Sequence, residues 1–256
     1  MRQFGDAGAV FLCHALKSRA RADAYQPAVL SEIATFAAGA KPALRVVTTA
    51  PQAAELANAA WMTGFHAVVA EVHVVQKTPT WATIVGLDQG RPRPATLARS
   101  TARTMVCIGR SDAETCRLNA AEQAGDTVAV GEALGYPLCC VTAFSRVFSS
   151  GPDSWVATLC ATTSDFGAVP LWANRLATEW GGACPVGELY PCSLRCTAAI
   201  ELGMAAISAL RSFGLNRLAD HIVADAKRPL WFDEELRSVS LHSADNGRGR
   251  WLTFTE

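Results

Sequence analysis

The chain has 256 residues, of which 50% are apolar. This is enough to fill the core of one large domain or of two smaller ones without stabilisation by disulfides or a bound metal. Lys plus Arg and Asp plus Glu both count 23, so the formal net charge is zero, and this excludes a general electrostatic attraction to nucleic acid or to an anionic membrane. The expected partner is therefore a small-molecule substrate, with no nucleic acid and no membrane, and a homodimer stays open.

The N-terminal segment contains an apolar run of only a few residues before Lys17, Arg19 and Arg21, which is too short for the core of a signal peptide or for a membrane span. We therefore expect the protein to stay in the cytoplasm. Because that compartment is reducing, the nine cysteines are expected to bind metal, take part in catalysis or lie buried rather than form a disulfide framework.

The first part of the chain alternates helical and β patterns. Apolar residues at helical spacing predict a helix over 25–39, with Gly39 as its cap. The β-branched run 44–50, a helix that opens at Pro51 and the β-rich run 65–76 predict strand, helix, strand. Two further strands are predicted over 81–87 and 103–110, with an arginine-bearing loop between them.

After about residue 110 the pattern becomes mainly helical. Helices are predicted over 111–125, 128–135 and 196–226, and the last of these breaks at Gly214. The apolar positions Ile200, Met204, Ile207 and Leu210 are expected to form an ordinary core face of this last helix. The tail is expected to form a hairpin, because Asn246-Gly247 separates two β-like runs.

These patterns predict an α/β (α+β) fold, in which a small N-terminal sheet region precedes a mainly helical, cysteine-bearing half. The expected regions are an α/β region over 1–110, a mainly helical region over 111–237 and a C-terminal hairpin or tail over 238–256.

Two cysteine pairs follow Tyr-Pro steps. In GYPLCCVTAF, Pro137 suits the first turn of a helix, which places Cys139 and Cys140 near a helix N-terminus. In YPCSLRC, Pro191 precedes Cys192, and Cys196 follows on the same face of a predicted opening turn. The positive end of the helix dipole favours thiolates, so both pairs are expected to supply them.

If the two helix starts converge, these four thiolates can surround a metal ion or bind the irons of a cluster. The spacing alone does not decide between them, because only the second pair has the separation common in zinc knuckles, whereas the first pair is adjacent. Adjacent ligands fit a multinuclear centre, so an iron–sulfur cluster is favoured, 4Fe–4S over 2Fe–2S, with zinc as the alternative. The predicted metal ligands are Cys139, Cys140, Cys192 and Cys196.

The remaining cysteines receive other interpretations. Cys13 and Cys107 lie in apolar runs and are expected to be buried, and Cys184 is an additional candidate ligand.

Adjacent cysteines point in different directions on a helix, so Cys140 is a candidate catalytic residue. Glu71 is the second, because a carboxylate in the apolar strand HAVVAEVH is costly unless it is paired or functional. His66 and His73, at the two ends of that strand, are more typical of structural histidines.

GYPLCCVTAF followed by PCSLRC resembles an uncharacterised family of methanogen and bacterial proteins that carry GYPxCC and PCSxxC segments, and the resemblance covers roughly residues 125–200. It implies a common role for the four motif cysteines without naming a reaction. In that family a histidine is expected shortly before the second motif, whereas here the neighbourhood contains Glu188 and Tyr190.

Three functions follow from these observations. The first is an iron–sulfur enzyme of small-molecule metabolism, such as a lyase, transferase or sulfur-transfer enzyme, whose cluster keeps an open position for substrate or sulfide. The second is a structural zinc protein. The third is a thiol redox or sulfur-carrier protein that uses one of the cysteine pairs reversibly.

Overall fold

The computed structural model describes residues 7–13, 27–74, 103–148, 169–170, 189–233, 238–240 and 249–255. Within these ranges the chain forms eight helices and eight strands, which confirms the predicted mixed α/β class. The helices are α1 (7–13), α2 (Pro27–Ala37), α3 (Ala50–Met62), α4 (Asp112–Ala124), α5 (Thr127–Ala133), α6 (Leu138–Phe148), α7 (Thr197–Ser212) and α8 (Asn216–Ala226). The strands are β1 (Ala43–Thr49), β2 (His66–Val74), β3 (Arg103–Gly109), β4 (Val169–Pro170), β5 (Leu230–Asp233), β6 (Ser238–Ser240), β7 (Gly249–Leu252) and β8 (Phe254–Thr255).

The chain divides into two compact units. Unit 1 comprises Met1–Ala24 and Phe36–Gly135, and unit 2 comprises Tyr25–Thr35 and Tyr136–Glu256. This division falls after α5, whereas the sequence pattern placed a boundary near residue 110. The difference arises because α4 packs against the sheet of unit 1, so a helical texture begins before unit 2 does.

The sheet of unit 1 has the strand order β1-β3-β2, and β3 pairs antiparallel with both neighbours. Residues 104–109 of β3 are all buried, as expected for the central strand of a sheet covered by α3 and α4. The predicted order of strand, helix, strand is confirmed for β1, α3 and β2. The strand predicted over 81–87 lies outside the described residues.

The ends of α4 and α5 follow from local hydrogen bonding. Ser111 Oγ accepts from the backbone N–H of Glu114, and the Glu114 carboxylate in turn accepts from the backbone N–H of Ser111, which completes a capping box. Gly125 ends α4 with a φ of +66°, and Asp126 then caps α5 by accepting from two backbone N–H groups. These caps explain why both helices were predictable from the sequence.

A buried ion pair joins the sheet of unit 1 to α4. Arg45 Nη1 lies 2.7 Å from Glu122 Oε1, and the two side chains are 12% and 1% exposed. Cys107 sits opposite Arg45 in the register of β1 and β3 and is fully buried, which confirms the burial predicted for it. Burial and the Glu122 carboxylate raise the pKa of Cys107 to about 12, against the opposing effect of Arg45. This thiol is therefore an inert core group.

Arg110 is held by aromatic and backbone groups of unit 1. Its guanidinium lies 5.1 Å from the ring centroid of Phe36 and 5.7 Å from that of Phe65, within cation–π range. It also donates to the carbonyl oxygens of Phe36 and Lys41. Arg110 therefore holds the C-terminal end of α2 against the sheet of unit 1.

The long helical stretch of unit 2 breaks where the sequence predicted. Gly214 has a φ of +75°, which separates α7 from α8 and lets the two helices pack against each other. Ile207 and Leu210 are buried, but Met204 is 53% exposed, so its assignment to the core face is wrong. The buried face of α7 is instead built largely of small residues, among them Gly203, one position away from Met204.

The C-terminal strands are arranged differently from the prediction. β5 pairs antiparallel with both β6 and β7, giving the order β6-β5-β7, while β4 pairs in parallel with β8. The expected hairpin partners β6 and β7 thus lie on either side of β5, and Trp231 of β5 pairs across the strands with Trp251 at 5.4 Å between ring centroids. The turn sequence Asn246-Gly247 lies outside the described residues. The sequence pattern did not predict β5, which follows α8 after a few residues.

None of the helices in the described part of the chain has the combination of length and apolar character that crossing a bilayer requires.

Candidate metal centre

The first cysteine pair lies in the opening turn of α6, as predicted. Gly135 adopts a φ of +78° and Pro137 follows it, so the chain turns and the helix begins at once. The backbone N–H groups of Cys140 and Val141 donate to the carbonyl oxygen of Pro137 at 2.9 and 3.0 Å. Cys139 and Cys140 therefore project from the first turn of α6.

The second cysteine pair lies mostly in front of a helix. Residues 191–196 are not helical, and α7 begins at Thr197 with Cys196 as its N-cap residue. The expectation that Cys192 and Cys196 share one face of a helical turn is therefore wrong. A turn replaces that helical turn, and in it the backbone N–H of Cys196 donates to the carbonyl oxygen of Ser193 with an N···O distance of 3.2 Å. This turn reverses the chain, so that the sulfurs of Cys192 and Cys196 lie close together.

The four sulfurs converge, as the sequence predicted. The Cys139 Sγ lies 3.9 Å from the Cys140 Sγ and 3.7 Å from the Cys196 Sγ, and the Cys140 and Cys196 sulfurs are 3.6 Å apart. Cys192 completes the group, and all four sulfur atoms lie within 4.8 Å of one another. A group of four cysteine sulfurs at these separations can hold a metal ion.

The interior side of the group is apolar. Cys140 and Cys196 are 1% and 8% exposed and pack with Ala199, and partly buried Leu189 and Ile200 lie against them. Thiolates in such surroundings are costly unless a cation or hydrogen-bond donors compensate their charge. One donor comes from the segment that precedes α7. The backbone N–H of Cys192 points at Cys140 Sγ with an N···S distance of 3.4 Å.

Burial and hydrogen bonding act differently on the individual thiols. Burial raises the pKa of Cys140 far above its usual range despite the hydrogen bond from the Cys192 N–H. Burial, with the neighbouring thiols, raises the pKa of Cys192 to about 11. At Cys196 burial also acts to raise the pKa, but hydrogen bonds from the Ala199 N–H and the adjacent thiols outweigh it, so that the pKa is lowered. The expectation that both pairs lie where thiolates are favoured thus holds for Cys196 and is wrong for Cys140 and Cys192.

Metal affinity should consequently depend steeply on pH. Between about pH 6 and 8 the thiols of Cys140 and Cys192 are protonated, because their pKa values lie above that range, and a metal must displace both protons. Each displaced proton changes the affinity by a factor of ten per pH unit, so Kd should rise at least about 100-fold for each unit that the pH falls. Competition with a chelator of known zinc affinity at several pH values measures the slope. A slope well below 100-fold per unit would contradict the displacement of both protons.

Comparison with known proteins adds nothing to this geometry. No family model, curated protein or solved structure matches the chain. The resemblance to the family with GYPxCC and PCSxxC segments stays a prediction.

Several other candidate residues lie in unit 1, whereas the four cysteines lie in unit 2. Glu71 lies in β2 of unit 1, where the pairing with β3 shifts register between Val69 and His73, so the regular alternation assumed for it does not apply. The side chains of Glu71 and His73 lie outside the described part, and the catalytic role of Glu71 stays a prediction. His66, at the start of the same strand, is exposed.

Cys13 and Tyr190 lie within the described residues, so their burial can be compared with the sequence. Cys13 is exposed, so the burial predicted for it is wrong. Cys184 and Glu188 lie outside the described residues. Tyr190 is buried and its ring lies 4.9 Å from that of Phe144 of α6, so it packs the second motif against the first helix.

Sequence reasoning did not identify which main-chain groups donate to the cysteine sulfurs. The backbone N–H groups of Cys192 and Ala199 donate to cysteine sulfurs, and main-chain donors leave no residue-type signature. Exposed Leu138, next to Cys139, was also not singled out, although its place at the helix start was visible in the sequence.

Proposed function

We propose that unit 2 carries a mononuclear metal–thiolate centre, in which Cys139, Cys140, Cys192 and Cys196 bind one zinc ion. The observation that carries the proposal is the spacing of the sulfurs. Four sulfurs at about 2.3 Å from a tetrahedral zinc ion lie about 3.8 Å from one another. The three separations of 3.6, 3.7 and 3.9 Å agree with that arrangement.

The donor set fits this ion. All four ligands are sulfurs, which zinc prefers in closed structural sites, and the Cys192–Cys196 segment has the short spacing of a zinc knuckle. The cation would supply the positive charge that lets the thiols of buried Cys140 and partly buried Cys192 ionise. It would thereby tie the first turn of α6 to the loop before α7.

An iron–sulfur enzyme is the second candidate. The observation in its favour is the exposure of Cys139, since a ligand at the solvent boundary suits a cluster with an exchangeable position. In a 4Fe–4S cluster each cysteine binds a different iron, so the sulfurs would have to move apart from their present separations. The raised pKa of Cys140 and Cys192 counts against a simple thiol redox protein, which needs accessible thiolates.

Metal analysis together with absorption spectroscopy tests the proposal. The full chain, purified anaerobically without chelators, is expected to contain one zinc per chain and to show no visible absorption band. Substitution with cobalt(II) should then give the intense visible absorption of a tetrahedral tetrathiolate. Iron with sulfide and a broad visible band would overturn zinc in favour of the cluster. A metal-free chain that binds neither added zinc nor iron with sulfide would exclude both.

A further inference from the structure

The four ligands of the proposed centre differ in their exposure. Cys140 and Cys196 are almost completely buried and Cys192 is partly buried, whereas Cys139 is exposed. Only a cysteine at the surface can meet a second reactant without an opening of the fold. Cys139 is therefore the member of the group from which chemistry with an external molecule can begin.

The hydrogen bonds of the sulfurs distinguish Cys140 and Cys196 from Cys139 and Cys192. Cys140 Sγ accepts from the Cys192 N–H, and Cys196 Sγ accepts from the Ala199 N–H. Such bonds draw charge from a thiolate and make it a weaker nucleophile. In the part of the chain that the structure describes, the hydrogen-bond partners of Cys139 Sγ are the other cysteine sulfurs. Cys139 is thus the exposed member of the group, and its sulfur contacts the other cysteine sulfurs.

We propose that Cys139, held as a metal-bound thiolate, is the acceptor of an alkyl group from a soft carbon electrophile; this inference rests on the proposed function. A lone pair of Cys139 Sγ attacks the carbon, a C–S bond forms, and the bond from carbon to the leaving group breaks with its electron pair. No oxidant, reductant or proton donor is needed. The product is a neutral thioether, so the negative charge of the four-sulfur group falls by one.

The immediate surroundings of Cys139 suit such a reactant. Leu138, its chain neighbour, is 60% exposed and presents an apolar surface beside the sulfur. A charged electrophile would gain little from that contact, whereas an uncharged one with an alkyl group can bury apolar area against it. The substrate class is therefore an alkyl donor that carries an apolar group beside its reacting carbon. This assigns the reactive position to Cys139, while the catalytic role predicted for buried Cys140 lacks access from the surface.

Site-resolved alkylation of the zinc-loaded chain tests this inference. The metal content is measured first; the protein is then treated with a limiting amount of iodoacetamide, and peptide mass spectrometry gives the rate at each cysteine. Cys139 should react at least about tenfold faster than Cys140, Cys192 and Cys196. Removing zinc with a chelator should not raise the rate of Cys139.

The outcomes separate the two proposals. If zinc is bound and Cys139 is as strongly protected as the other three, the centre is purely structural and the inference fails while the proposed function stands. If no metal is bound, the proposed function fails, and the inference fails with it, before the electrophile is added. Cys116→Ser removes another exposed thiol, on α4 of unit 1, and should leave the rate at Cys139 unchanged.

Discussion

Replacing Cys196 by serine should lower the zinc affinity of the chain by more than about 100-fold. Removing a residue that only hydrogen-bonds to a ligand costs up to about 100-fold, and loss of a ligand itself should exceed this. The Cys196 sulfur lies 3.6 and 3.7 Å from two other sulfurs of the group, so its loss removes one corner of the tetrahedron. A serine hydroxyl fills the space but does not ionise at neutral pH. Competition titration with a metallochromic chelator measures the change, and Cys192→Ala should give a loss of the same order.

Two control variants distinguish loss of a ligand from general destabilisation. Cys107→Ala alters a fully buried cysteine of β3, and Cys116→Ser alters an exposed cysteine of α4, both in unit 1. Both variants should keep the wild-type zinc affinity and stoichiometry. Equal losses in Cys107→Ala and Cys196→Ser would show that affinity reports folding as a whole, and the assignment of Cys196 as a ligand would then be wrong.

The elements that the sequence predicts well are those whose ends carry local signals. α4 begins at a capping box and ends at a left-handed glycine, and α7 ends just before another glycine with positive φ. Such signals act over three or four residues, so they do not depend on the rest of the fold. The convergence of the cysteines was also predictable, because each pair follows a Tyr-Pro step and four thiolates need a common cation.

The features that could not be predicted depend on contacts between distant residues. Met204 occupies an apolar position of α7, but the packed face is set by neighbouring small residues, so Met204 is exposed. β6 and β7 flank a strand that precedes both, which a local turn signal such as Asn246-Gly247 does not reveal. The exposure of Cys139 beside buried Cys140 likewise depends on which side of α6 the second motif covers. In each case the sequence specifies the residue type, whereas its surroundings decide its role.

Removing zinc should lower the melting temperature of the chain substantially. A ligand that binds only the folded state at about 1,000 times its Kd stabilises it by about 4 kcal/mol. Since 1 kcal/mol corresponds to about 2–4 °C for chains of about 150–250 residues, chelation from that condition should lower the melting temperature by about 8–16 °C. Calorimetry at fixed pH with and without an excess of chelator measures the shift.

The positions of the amides that lose protection test the proposed ion more specifically than the shift in melting temperature does. The proposed ion joins the first turn of α6 to the N-cap of α7, so the amides of these helices should lose protection from hydrogen exchange when zinc is removed. The sheet of β1, β2 and β3 lies in unit 1 and serves as the internal control, because it contains none of the four ligands. Cys196→Ser should show the same faster exchange in α6 and α7 without chelator and no further response to it. Faster exchange that is uniform over both units, or a melting temperature that chelator leaves unchanged in zinc-loaded wild type, would mean that the ion does not hold these two helix starts together.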